Sequence, residues 1–413
     1  AMDQPATEAA FCLFNGSTCV AVTTNWVGNR LDATPTTSLP PNTLLYPIIY
    51  ATASSATGVT FVGDGGSTCT APNKCYGFTT MNGPVTYGDG HDGALTVNTS
   101  ANLATTNFIS GRICADGGDA VQYNAASIIA NAVTLTTAPT AGCLSPGDEI
   151  MVINIQGTST STANTGKYET FLVGTVVGDT VTFVPNKTLY FGDGAANDSN
   201  IGIAANNQKV AVLRVPNYTT VILCGGATGG GCTATGTLTT MAYQGSKGGL
   251  LAFKANSAIT VNSGGAISVS GIGFRGGIRV LGLGGIQGES HTGTGADDYA
   301  ANAGGGGGGL GDGATWDSWG NAGGGGGGYG SAGTAGTNIP LNVGGYAGLP
   351  LANGVLSSLY LGSGGGSGGN ISWSGTMNVA GNGSPGGGII WLQTPILSIA
   401  GIMSADGEAG QQG

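Results

Sequence analysis

The sequence predicts an all-β protein: disulfide-containing antiparallel β domains, then β-roll or solenoid-like rungs that frame a polyglycine II helix bundle. Three observations carry this. From Gly88 onward, short β-branched runs are bounded by Gly, Pro, Asn or Asp. A β repeat occurs twice, at 248–273 and at 387–407. Between the copies, residues 273–388 hold 43 glycines in 116 positions, including the unbroken runs Gly304 to Gly309 and Gly323 to Gly328.

At 413 residues the chain exceeds what one core usually organises, so two or three units are expected, and the sequence reads as three. Residues 1–86 form a small Thr/Pro-rich, disulfide-tied β unit, with apolar runs at Leu44 to Tyr50 and Val59 to Val62 and no persistent helical period. Residues 87–245 form an antiparallel β domain. Its strand candidates are Ala94 to Val97, Ile128 to Leu135, Glu149 to Gln156, Glu169 to Val177, Thr180 to Val184 and Val210 to Val215. Gly178-Asp179 between two β-branched runs predicts a hairpin, because glycine supplies the positive φ of the first turn position. Residues 246–413 are β rungs with an inserted glycine-rich domain.

The repeat aligns Gly248-Gly-Leu-Leu-Ala-Phe-Lys with Gly387-Gly-Ile-Ile-Trp-Leu-Gln. Each copy is a glycine pair, an apolar strand, a polar turn, an alternating strand and a further short strand, which suits rungs stacked on one another. The tract between them then leaves and re-enters at neighbouring rungs. That lowers the entropy needed to order it. Flexible linkers are rich in Ser, Glu, Lys and Pro. This tract instead carries Trp316, Trp319, Tyr329, Tyr346, Tyr360 and Trp373. Polyglycine can be ordered as three-residue helices without internal hydrogen bonds, packed closely enough to bond amide to carbonyl laterally. Collagen is excluded, since neither its every-third-residue glycine nor its proline is present.

Only 8% of residues are charged, and the formal charge is −10. No Lys or Arg occurs in the 134 residues after Arg279. Nucleic-acid binding and attachment to anionic membranes both need clustered cations, so neither is expected. No apolar stretch reaches the length of a membrane span. Eight cysteines fall into neighbours, Cys12 with Cys19, Cys69 with Cys75, Cys114 with Cys143 and Cys224 with Cys232. That spacing reads as a disulfide framework of an oxidising compartment, neighbour pairing being the simplest of many connectivities. The expected location is secreted or at the outer cell surface. No signal-peptide pattern opens the chain, so this location rests on the cysteines and the composition; the chain ends at Gly413 inside what reads as another repeat, which leaves open whether the natural chain continues.

The tract Ala303 to Leu310, Ala322 to Gly330 and Leu361 to Gly369 resembles the glycine-rich region of the anaplastic lymphoma kinase and leukocyte tyrosine kinase receptors. It is also similar to the polyglycine-sandwich tips of phage tail-fibre adhesins. The likeness covers residues 245 to 410 and rests on composition and run length; it implies polyglycine II bundles beside β structure and a binding function. Tyr87 to Val97 looks like an opening common in secreted bacterial surface proteins with such tracts. No ligand-contact residue transfers, because the loops between the runs do not align.

Candidate chemistry is sparse. Asp89, His91 and Asp92 share a glycine-permitted turn and offer a calcium or transition-metal site, against the reading of a turn that opens a strand; no cofactor is otherwise expected. Glu289 and His291 stand two apart, on one face of an extended strand, and offer a second metal or ligand site, against a polar loop that satisfies stray amides. No nucleophile constellation is visible, and an enzyme is not expected. The paired acids Asp312 and Asp317, or Asp297 and Asp298, leave a glycosidase as the enzymatic alternative. Aromatics between glycine runs either pack on the lattice or stack on a partner. The candidate ligand-binding set is Asp312, Trp316, Asp317, Trp319, Tyr329 and Trp373, with Asp312 to Trp319 as the main loop. The expected function is an adhesin-like module binding a cell-surface glycan or protein; the alternatives are a filament or coat subunit that self-associates, and a carbohydrate-active enzyme.

Overall fold

In the computed structural model the chain divides into two compact units, Ala1–Thr86 and Tyr87–Gly413. The described residues are 11–14, 19–20, 22–27, 30–35, 44–49, 74–75 and 78–79 of the first unit, and 87–411 of the second except 228–230, 280–283, 310–321, 339–342, 352–356, 370, 374–375 and 379. The protein is all-β, with no helix among those residues.

The first unit holds β1 (Phe11–Phe14), β2 (Cys19–Val20), β3 (Val22–Val27), β4 (Arg30–Pro35), β5 (Leu44–Ile49), β6 (Lys74–Cys75) and β7 (Phe78–Thr79). β1, β2, β5, β6 and β7 pair antiparallel, and β3 with β4 makes a hairpin. The run Val59 to Val62 and Cys69 lie outside the described residues, as do the side chains of Cys12, Cys19 and Cys75.

The second unit begins with β8 (Leu95–Val97) and β9 (Ala101–Asn102). Six strands follow: β10 (Gln122–Ile129), β11 (Ala132–Leu135), β12 (Glu149–Gln156), β13 (Tyr168–Val177), β14 (Thr180–Val184) and β15 (Lys209–Arg214). All pair antiparallel, and β10 returns to β15 to close a barrel in the order β10-β11-β14-β13-β12-β15. The chain continues through β16 (Asn217–Leu223), β17 (Thr237–Thr239), β18 (Leu250–Val261) and β19 (Ala266–Ser268). Past the glycine tract, which includes the short hairpin β20 (Ile371–Trp373) and β21 (Thr376–Asn378), it ends in β22 (Ile389–Gln393), β23 (Leu397–Ile399) and β24 (Ile402–Ser404).

The strands outside the barrel and the tract stack in parallel as rungs. β8, β16, β18 and β22 with β23 form one sheet, and β9, β17, β19 and β24 the other. The repeat pairs with itself in the register of its alignment, Leu250 with Ile389 through Lys254 with Gln393. The stack also begins earlier than the 246 boundary predicts. β8 and β9, inside the region expected to be antiparallel, pair in parallel with β16 and β17 and are its first rung. The barrel is thus inserted between the first and second rungs, and the glycine tract between the third and fourth.

Alternation places the cores. On β18, Leu251, Phe253, Ala255, Ile259 and Val261 face the interior of the stack, where Leu95, Val221, Leu223 and Ile267 join them. Leu250 and Ala252 face the other way and meet Ile389, Trp391 and the barrel. The barrel strands β12 and β15 are buried on both faces. Ile150, Val152, Val210 and Val212 fill the barrel, while Met151, Ile153, Ala211 and Leu213 press on the rungs. This explains the unbroken apolar run Ile150 to Ile153. Each such side chain, fully buried, contributes about 1.5–3 kcal/mol.

Two local expectations have clear outcomes. The hairpin at Gly178-Asp179 forms, with Val177 opposite Thr180 and Gly178 at φ 59. The predicted strand Ile128 to Leu135 is two strands: Ile129 pairs with Ala132 across a turn at Ala130-Asn131, so its apolar continuity spans a hairpin that barrel closure requires. The disulfides Cys114–Cys143 and Cys224–Cys232 form as neighbour pairing predicts.

In the tract, backbone bonds run between glycine runs and repeat every third residue on both strands of each pair. Gly306 and Gly309 donate to Gly364 and Ser367; Gly323 and Gly326 to Thr337 and Thr334; Gly362, Gly365 and Gly368 to Gly387, Ser384 and Gly381. A three-residue screw therefore turns one amide in three towards each neighbour. The close approach excludes side chains. A Cβ on Gly308 would lie 1.7 Å from the Gly285 oxygen, and one on Gly324 2.1 Å from the Gly366 oxygen.

Candidate functional site

The lattice determines where its aromatic side chains emerge. The Tyr346 amide donates to the Tyr299 carbonyl at 2.8 Å, and the Gly307 amide donates to the Tyr346 carbonyl at 2.8 Å. With both backbones held this way, the two rings meet edge to face, centroids 5.4 Å apart at 87°. Both stay accessible, at 40% and 53% exposure. Asp297 and Asp298 precede Tyr299 and are exposed. The Asp298 carbonyl accepts from Gly308, and its carboxylate accepts from the Ala300 amide at 2.9 Å. An aromatic pair on two bonded backbones beside carboxylates offers flat apolar faces and hydrogen-bond acceptors at a reduced ordering cost.

Tyr329, from the predicted ligand-binding set, is 46% exposed at a turn closed by its own amide onto Ser331. Partial burial, with Tyr360 nearby, pushes its hydroxyl above the usual tyrosine value. Asp312, Trp316, Asp317 and Trp319 lie outside the described residues, and Trp373 is on β20 with its side chain outside them. Tyr299 is the residue that sequence reasoning missed. Its partner is 47 positions away along the chain, and only the threefold bond period could have joined them.

Asp89, His91 and Asp92 sit where the first rung begins, in a turn with positive φ at Gly88, Gly90 and Gly93. Asp92 is buried and reaches the Arg214 guanidinium at 2.6 Å, while its second oxygen accepts from the Asn217 amide at 2.7 Å. Asp148 meets the same guanidinium at 2.7 Å. The cation held by these carboxylates is therefore an arginine from β15, and the pair ties the barrel to the rungs. Burial works against the Arg214 charge, but the hydrogen bonds it donates to Asp148 and Asp92 hold its pKa above the ordinary value. Asp89 bonds His91 Nδ1 at 2.6 Å; burial pushes this carboxyl up, but the His91 hydrogen bonds outweigh it and hold it below its usual range. Asp119, also buried, caps the amides of Phe108 and Ile109 and accepts the Tyr218 hydroxyl at 2.8 Å. Burial raises its pKa in spite of these bonds. Among the described residues, no three His, Cys, Asp or Glu side chains gather as a metal site.

Glu289 and His291 are likewise not joined. Glu289 is 4% exposed and takes a forked contact from Arg275, Nε at 2.7 Å and Nη2 at 3.2 Å. Gln156 at the end of β12 adds a bond at 3.0 Å and is itself held by Tyr243 at 3.1 Å. The Glu289 carbonyl accepts from Gly364 at 2.9 Å, so this residue pins barrel, rung and lattice together. His291 turns its ring edge-on to Tyr360, 5.9 Å between centroids, and its buried Nδ1 has no hydrogen-bond partner. Burial lowers its pKa.

No protein-family model matches the chain, and no curated protein does. Among solved structures, the tailspike gp61 of Pseudomonas phage phi297 is 17% identical over 43% of this chain and 25% of that chain, with a TM-score of 0.17. The tailspike gp49 of Pseudomonas phage LKA1 is 16% identical over 43% and 28%, TM-score 0.18. The gp54 tailspike of Acinetobacter baumannii bacteriophage AP22, solved with A. baumannii capsular saccharide, is 15% identical over 44% and 33%, TM-score 0.17. The chain spans a third or less of the length of each of these tailspikes.

Proposed function

We propose that this protein is an extracellular, adhesin-like module that presents loops to a glycan or protein partner from a rigid scaffold of polyglycine II type. The observation that carries the reading is the exposed Tyr299–Tyr346 pair, fixed through both backbones by the lattice. An aromatic face ordered before contact loses little freedom on binding. The disulfides suit an oxidising compartment, and no helix among the described residues is long and apolar enough to cross a membrane. Asp312, Trp316, Asp317 and Trp319, with Tyr329 and Trp373, are the second proposed set of ligand-binding residues.

The test is binding of the purified chain to a panel of immobilised glycans and to intact cells, with melting curves as a folding control. Tyr299→Ala with Tyr346→Ala, and separately Trp316→Ala with Trp319→Ala, should each weaken binding about tenfold or more, the loss of one or two stacked aromatic contacts. Unchanged binding in both variants sinks the reading. A filament or coat subunit is the second reading, favoured by Ile396, Leu397, Ile399 and Ile402, exposed along the last rung. A stable monomer on size exclusion removes it. Polysaccharide turnover that vanishes in Asp312→Asn would instead establish an enzyme.

A further inference from the structure

Resting on that reading, we infer that the Tyr299–Tyr346 face takes uncharged or amino-bearing saccharides and rejects anionic ones such as uronate, sulfated or sialylated polymers. Residues 280–413 contain no Lys or Arg, but seven acids: Glu289, Asp297, Asp298, Asp312, Asp317, Asp406 and Glu408. The two bases that precede this stretch are engaged elsewhere. Arg275 is forked onto Glu289, and Arg279 donates to the Ala380 carbonyl at 3.2 Å and, through its amide, to Asn382 at 3.0 Å. His291, the remaining basic side chain, is kept neutral by burial.

Proteins hold sugar carboxylates and sulfates through charge-assisted bonds from Arg or Lys, forked where geometry allows. No residue of 280–413 supplies one. Asp297 and Asp298 stand exposed beside Tyr299, so an anionic polymer meets like charge within the roughly 8 Å over which charges act at physiological salt. A neutral sugar meets the opposite situation. Its C–H face lies on a tyrosine ring, and its hydroxyls donate to carboxylates and to the Tyr hydroxyls, groups that accept strongly. An amino sugar adds a cation over an aromatic face and beside two carboxylates. The small platform of two crossed rings also suits a sugar ring better than a protein, whose standard interfaces bury about 800 Å² per partner.

The full chain should be measured against neutral glucans, mannans and N-acetylglucosamine oligomers, chitosan, hyaluronate, alginate and heparin, at low and at physiological salt. The expected result is binding to at least one neutral or amino polymer, with hyaluronate, alginate and heparin weaker by about tenfold or more and weaker still at low salt, where repulsion is less screened. Thr294→Lys with Ala296→Lys, two exposed positions beside the acids, should then recruit the anionic polymers, while Tyr299→Ala with Tyr346→Ala weakens neutral binding about tenfold or more. Anionic polymers bound as tightly as neutral ones overturn this inference and leave the adhesin reading standing. A folded chain that binds no polymer and no cell overturns both.

Discussion

The barrel and the glycine tract are both excursions from the same stack of parallel rungs, and they are held by opposite means. The barrel is a side-chain structure: Phe171 stacks on Phe183 with ring centroids 4.2 Å apart, and Val152, Val181, Phe191 and Val212 close around them. The tract has few such residues. Phe274, Leu359 and Leu361 pack at its root, and beyond them order comes from amides bonded to neighbouring runs. An unpaired buried amide costs about 1–3 kcal/mol, so in the tract the penalty for leaving the lattice takes the place of apolar burial. The described glycine runs, with few buried side chains, are thus held where their backbones come within bonding distance.

Substitutions can break the comparison. The largest effect belongs to the barrel, where Phe183→Ala leaves a cavity in a filled core and should lower stability by about 3–5 kcal/mol in denaturant melts. Cys114→Ser with Cys143→Ser opens a 29-residue loop at the edge of that core and should remove about 2–4 kcal/mol. In the tract the sensitive change is the addition of one methyl. Gly308→Ala puts a carbon into the Gly285 carbonyl, whose backbone has no rotamer with which to yield, and should cost about 1–3 kcal/mol or more. Gly330→Ala, where nothing lies within 4 Å, should change stability by less than about 0.5 kcal/mol. If the two glycine variants melt alike, the lattice is not what orders the tract. Chymotrypsin gives an independent reading, since cleavage after Tyr329 and Tyr346 should be slow in the native chain and fast in Gly308→Ala.

The smallest effect is one of pH. Burial lowers the pKa of His291 below its ordinary 6.5, so the unfolded chain takes up a proton that the folded one resists. Its contribution to stability is full above about 6.5 and declines as the pH falls from there towards the lowered folded value. The melting temperature should therefore drop between pH 7.5 and 5, and His291→Gln should flatten that slope. Asp89 acts in a separate, more acidic window. Its folded pKa lies below 3.8, so its support is complete above that value and fades only as the pH falls through the folded pKa.

What was legible in the sequence was local or repeated. The register of Leu250 with Ile389 could be read because both strands carry the same glycine pair and apolar alternation, and the Gly178-Asp179 turn because two residues suffice to specify it. Closure of the barrel was not legible. It depends on Gln122 meeting Leu213 across 91 positions, and the polar opening Gln122-Tyr123-Asn124 gives β10 no strand signature. The candidate site divides the same way. The aromatic content of the tract signals a surface, whereas the Tyr299–Tyr346 pair exists only once the runs have bonded. Asp92 reads as a ligand beside His91, and its partnership with Arg214 spans 122 residues.

Bonding at every third residue restricts how such a tract can change length over evolutionary time. Losing one glycine from Gly323 to Gly328 would rotate the remainder of the run by about 120° and aim its amides at the wrong neighbours. Losing three would restore the phase and shorten the run by a single turn. Insertions and deletions that survive in these runs should accordingly come in threes, while the loops between them are free of that arithmetic. Variation in loop length can then accumulate on a framework that tolerates almost none.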